Sequence, residues 1–142
     1  MTPLGLDAFL PYLINRTGVR LVARFTVVLR REGLSIQDWR VLAALNEQDG
    51  QRLSDLAERT SIEISTLSRI IGSMEKQHLL NRSRASGDAR AVAIRLAPRG
   101  TEMVARLIPA AQALERTALA GLDAEAEAQL KALLRRVYAN LS

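Results

Sequence analysis

Apolar residues recur along this chain at two spacings, one helical and one extended, and the switches between them divide it into elements. From about Asp7 to Arg31, Phe9, Leu13, Val22, Phe25, Val28 and Leu29 give a broad helical surface, with Pro11 in the first turn, where its missing N–H costs little. Gly18 inside this helix costs about 1 kcal/mol relative to alanine and marks a point of bending. Gly33 ends it, and Ser35-Ile36-Gln37-Asp38 resembles a capping box opening a second helix to about Gln48, with Trp39, Leu42 and Leu45 inward. Asp49-Gly50 reads as a turn and Gln51-Arg52-Leu53 as a minimal strand; Ser54 is then expected to cap a short helix, Asp55 to Thr60, on Leu56 and Ala57. A longer helix, Glu63 to Gln77, places Ile64, Leu67, Ile71 and Met74 on one face. His78, at its end, suits a left-handed cap.

The period then falls to two. Asn81, Ser83 and Ala85 alternate with Arg82 and Arg84, while Val92, Ile94 and Leu96 alternate with Ala91, Ala93 and Arg95. This predicts a two-stranded ribbon with one buried face, closed by the tight turn Ser86-Gly87-Asp88-Ala89-Arg90. Pro98 opens another helix on Met103, Leu107, Ile108, Leu114 and Leu119, which Pro109 is expected to kink. Beyond Gly121 and Asp123, Leu130, Leu133, Leu134, Val137, Tyr138 and Leu141 make a stripe on a last helix, Ala124 to Leu141. The expected fold is mainly α with a small β wing. Short helix, turn at Thr60-Ser61 and longer helix is the helix-turn-helix order.

The longer helix turns Ser65, Thr66, Ser68, Arg69, Ser73 and Lys76 away from its packed face. Hydroxyls and arginine bond base edges and phosphates, whereas a face of carboxylates would be repelled by a duplex. Charge strengthens this picture. The chain carries a net +5, and residues 69–99 hold all of that excess: Arg69, Lys76, Arg82, Arg84, Arg90, Arg95 and Arg99 against Glu75 and Asp88. Such a patch on one supersecondary unit is an electrostatic footprint for nucleic acid, or a device for solubility. Arginine outnumbers lysine 18 to 2, which suits bidentate and minor-groove contacts and equally a GC-rich genome.

Composition excludes other classes. A hydrophobic fraction of 48% argues against disorder, and no apolar run reaches the roughly 18 residues of a membrane span. The N-terminus lacks the basic start of a secretory signal, so a cytoplasmic protein is expected. Without cysteine there are no disulfides or thiolate metal sites, and a single histidine leaves no metal or catalytic constellation; an enzyme and a cofactor are not expected.

Thr66-Leu67-Ser68-Arg69, Met74-Glu75-Lys76, Leu79-Leu80 and Asp88-Ala89-Arg90, with Leu96 and Gly100 behind them, resemble the recognition helix and wing of the MarR family of bacterial transcriptional regulators. The resemblance implies a winged helix-turn-helix DNA-binding domain at 34–97, with N- and C-terminal helices, 1–33 and 98–142, interlocking two subunits into a homodimer. Ser65, Thr66, Ser68 and Arg69 would read bases or position the helix on a pseudo-palindromic operator, with Ser73 on the same face. Lys76, Arg82 and Arg84 would meet phosphates. Arg90 would enter the minor groove, with Asp88 orienting it or serving as a turn former. Family members are most often repressors released by a small ligand bound where dimerisation and DNA-binding parts meet. The expected ligand is an aromatic carboxylate or its coenzyme A thioester.

In this chain that junction implicates Tyr12, Arg16, Arg20, Trp39 and Arg40. Arg16, Arg20 and Arg24 form an i, i+4 stripe without an acidic residue three or four positions away. They are solvated, meet a partner subunit's carboxylates, or bind a ligand carboxylate. Trp39 is either core or an aromatic pocket wall. The alternative to DNA reading is a winged helix used for protein contact.

Overall fold

The computed structural model describes residues 1–84 and 92–142. A 3-10 turn at Leu6–Ala8 precedes α1 (Leu10–Arg30), α2 (Ile36–Glu47), β1 (Gln51–Arg52), α3 (Leu53–Thr60), α4 (Ile64–Lys76), β2 (Leu80–Arg84), β3 (Val92–Leu96), α5 (Pro98–Ala118) and α6 (Ala124–Asn140). The strands form one antiparallel sheet in the order β1-β3-β2, with Gln51 opposite Ile94 and Leu80 opposite Leu96. The helix-turn-helix and its two-stranded ribbon are therefore present in the expected order.

Several boundaries differ from the sequence reading, each for a local reason. The first helix starts at Leu10 rather than Asp7, because Pro11 has no N–H to donate to the Asp7 carbonyl and only a 3-10 turn precedes it. It then runs unbroken through Gly18. Leu53 belongs to α3, not to β1, and Arg52 rather than Ser54 holds the N-cap position, without a side-chain bond. α5 is helical past Pro109, which forgoes its bond to the Ala105 carbonyl. The expected Ser86–Arg90 turn lies outside the described residues.

Elsewhere the local chemistry acts as read. Gly33 is left-handed at φ 72°, and Leu34 N–H returns to the Leu29 carbonyl, closing α1. Ser35 and Asp38 exchange the two bonds of a capping box at 3.1 and 2.9 Å. His78, at φ 62°, is the expected left-handed cap of α4, with Leu79 N–H on the Met74 carbonyl.

The core joins all three regions of the chain. Phe25 and Leu29 of α1, Val41, Leu42 and Leu45 of α2, Leu67, Ile71 and Met74 of α4, and Met103, Val104 and Leu107 of α5 are buried together. Trp39 is half-buried beside Phe25, ring centroids 5.2 Å apart. The wing departs from strict alternation: Ala93 is buried and Val92 exposed. β3 lies between two strands, so Ala93 is flanked by Arg52 and Ser83 on its neighbours, while Val92 pairs at the ribbon's outer end with Arg84 alone. Among the described residues the core takes none from α6, whose Leu130, Leu133, Leu134 and Tyr138 stay exposed, as does Leu141 just beyond it. No helix among them is long and apolar enough to cross a membrane.

Candidate nucleic-acid interface

The turn between α3 and α4 is fixed from both sides. Ser61 adopts φ 57°, and Ile62 N–H reaches back to the Ala57 carbonyl at 3.2 Å while its side chain is buried. Ile62, rather than Ile64, supplies the first apolar anchor of the helix. Ile64 is 48% exposed, a correction to the expected packed face, because the core ends one turn into α4 and helical spacing cannot show where it ends. Leu67, Ile71 and Met74 remain fully buried and set the rotation of the helix.

That rotation presents Ser65, Arg69, Ser73 and Lys76 to solvent along one strip, with Thr66 and Ser68 half-buried at its flank. Exposed Ile64 adds an apolar group of the kind that meets a thymine methyl. Arg82 and Arg84 are exposed on β2, and Arg82 Nε donates to Glu75 Oε1 at 2.7 Å. Asp88 and Arg90 lie outside the described residues. On β3, Arg95 turns to Ser83 Oγ at 3.2 Å, and its guanidinium covers Gly50.

One residue at this surface escaped the sequence reading. Glu63 caps α4, and its carboxylate accepts from the N–H groups of Ser65 and Thr66, both at 3.1 Å, and from the Ser65 and Thr66 hydroxyls. The Ser65 hydroxyl bond first, then the two N–H bonds, lower the Glu63 carboxyl to about 2. It is a carboxylate wherever a duplex is stable. Glutamate is an uncommon cap, so cap preference alone gave no signal; Ser65 and Thr66 at two and three positions beyond it are the sign available.

The five ligand candidates do not share one cavity. Arg40 lines a groove of about 520 Å³ with Ile14, Asn15, Gly18, Val19, Val22 and Ala23 of α1. Arg16 instead stacks on the Tyr12 ring at 5.0 Å, Arg20 is exposed, and Trp39 packs on Phe25. A second cleft, about 480 Å³, lies between Gln48, Gln51, Asp55, Glu58, Arg59 and Ser61 and the Tyr138 ring. Among the described residues, no three His, Cys, Asp or Glu side chains cluster as metal ligands would.

Comparison with known proteins agrees with this geometry. The MarR family model matches residues 34–92. A MarR family transcriptional regulator from Silicibacter pomeroyi is 30% identical, with 99% of this chain and 100% of that one covered at a TM-score of 0.82. BpsR of Bordetella bronchiseptica, described for the regulation of its DNA binding by 6-hydroxynicotinic acid, is 27% identical over 91% of this chain and 98% of its own, TM-score 0.81. The transcriptional repressor IacR of Pseudomonas putida is 24% identical over 92% of this chain and 78% of its own length. An exposed hydroxyl-rich helix beside a basic ribbon, in a fold shared over nearly the whole chain with the Silicibacter pomeroyi and Bordetella bronchiseptica regulators, places this chain in the MarR family: it is a DNA-binding transcriptional regulator and not an enzyme.

Proposed function

We propose that the protein acts in the cytoplasm as a homodimeric repressor that binds a pseudo-palindromic operator and is released by a small aromatic acid. The observation that carries the dimer is the apolar surface left uncovered at both chain ends. Phe9, Leu10, Leu13 and Ile14 are exposed near the start, and Leu130, Leu133, Leu134, Tyr138 and Leu141 near the finish. Exposed apolar area of that extent mates with protein rather than water. In this reading 34–97 forms the DNA-binding domain, while residues 1–33 and 98–142 join the subunits and set the distance between two copies of α4. Two-fold symmetry then fits successive major grooves, about 34 Å apart.

Ser65, Ser68 and Arg69 face bases in this arrangement, Thr66 and Ser73 support them, and Lys76, Arg82, Arg84 and Arg90 meet phosphates or the minor groove. The groove on α1 suits the ligand, with aliphatic walls and the Arg40 guanidinium for its carboxylate. Regulation of BpsR by 6-hydroxynicotinic acid supports an aromatic acid as the class. A ligand wedged there displaces α1 against α2 and changes the spacing of the two reading helices, which one rigid duplex does not tolerate.

The test is binding to duplexes carrying one or two half-sites, beside the mass of the complex. Two chains bound per duplex, with single half-sites bound far more weakly, is the expected result. One chain per duplex and equal affinity for both would overturn the dimer. Arg40→Ala should remove release by aromatic acids while sparing DNA binding; loss of the response in Arg16→Ala alone would move the ligand to the Tyr12 end of α1.

A further inference from the structure

Ser65 stands in the first turn of α4, the part of a recognition helix that meets base edges. A serine hydroxyl has one proton and two lone pairs, so when free to rotate it bonds donor and acceptor edges alike. Here it is not free. The Ser65 hydroxyl is bonded to Glu63 Oε2, and an ionised carboxylate only accepts, so the proton must lie on that side. Thr66 is engaged in both senses, donating to the same oxygen at 3.3 Å and accepting from Arg69 Nη2 at 3.5 Å. Ser65 is exposed, and what it offers outward is lone pairs.

We propose that Glu63 is a positioning residue for base readout: by holding the Ser65 proton it makes that hydroxyl an acceptor, so Ser65 selects bases that present an amino group in the major groove. Adenine N6 and cytosine N4 satisfy it; guanine O6 and thymine O4 leave two acceptors facing each other. Glu63 touches no base in this arrangement. It acts through Ser65, and the two helix N–H groups it also binds keep its carboxylate in place. The inference rests on α4 lying in the major groove, as the proposed function requires.

Selection of duplexes from a random library by the intact protein, followed by binding to every single-base variant of the selected site, tests it. The wild type should prefer adenine and cytosine over guanine and thymine at one position of each half-site, by about 3- to 10-fold, the range of a single net hydrogen bond. Glu63→Ser keeps a cap acceptor for the helix N–H groups but is too short to reach the Ser65 hydroxyl. It should bring the four bases at that position to near equality, with unchanged helix content and subunit number. Ser65→Ala should lose the same preference. If Glu63→Ser retains it, or Ser65→Ala leaves it intact, the inference is wrong although DNA binding stands. If the wild type enriches no duplex at all, the placement of α4 in the groove fails first and the inference with it.

Discussion

Two glutamates flank the basic surface, and they act in different ways. Among the described residues, Glu63 bonds only hydroxyl and N–H groups of its own helix, whereas Glu75 is spent on a cation, Arg82, at 2.7 Å. Both members of that second pair are partly exposed, at 42% and 34%, so the bond is worth at most about 1 kcal/mol and competes weakly with a phosphate. Glu75→Gln should therefore leave folding nearly unchanged and raise affinity for duplex DNA several-fold. It should also steepen the log–log salt dependence by up to about 1.8, the contribution of one more neutralised phosphate in each of two subunits. Filter binding across a salt series measures both. Weaker binding with an unchanged slope would show that Glu75 aims Arg82 at the duplex instead of occupying it.

Between elements, a close backbone approach lies where the residue before β2 meets α5. A Cβ on Gly100 would stand 2.2 Å from the Leu79 carbonyl oxygen, which accepts from Ala97 N–H at 2.9 Å. Backbone held by such a bond cannot swing aside. Gly100→Ala is expected to cost about 1–3 kcal/mol, the usual penalty of overpacking, and a thermal melt without that loss would mean that α5 shifts freely against β2.

The same elements show what a sequence reveals. Spacing alone identified Leu67, Ile71 and Met74, and with them the outward strip of α4, because one helix face repeats every three to four residues. It misassigned Ile64, since periodicity reports which way a residue points and not how far the core extends. The Ser35–Asp38 box and the His78 cap were legible because their partners are three to five residues away. Asp49 Oδ1 on Leu96 N–H, 47 residues distant, and the Gln51 amide on the Ala44 carbonyl, seven residues back, carry no comparable local signal. The ligand candidates show a related limit. Arg16 stacks on Tyr12 and Trp39 packs on Phe25, while Arg40 is the one of the five on the α1 groove, whose other walls are residues of a composition that resembles any helix.

Across the whole molecule, a basic surface and an exposed apolar surface occupy different parts of the chain. The first carries the excess of positive charge, and the second is the one that leaves leucines and a tyrosine exposed at α6. Regulation in this account is the control that the second exerts on the spacing of two copies of the first. That control requires α4 and the wing to bind the phosphate backbone of duplex DNA. The most direct measurement is affinity for a selected duplex between roughly 50 and 300 mM salt, where each neutralised phosphate contributes about −0.9 to the log–log slope. With Lys76 and Arg84 from each of two subunits, and Arg82 shared between Glu75 and a phosphate, the expected slope lies between about −3.6 and about −5.4. A flat response would contradict it and return the winged helix to a role in protein contact.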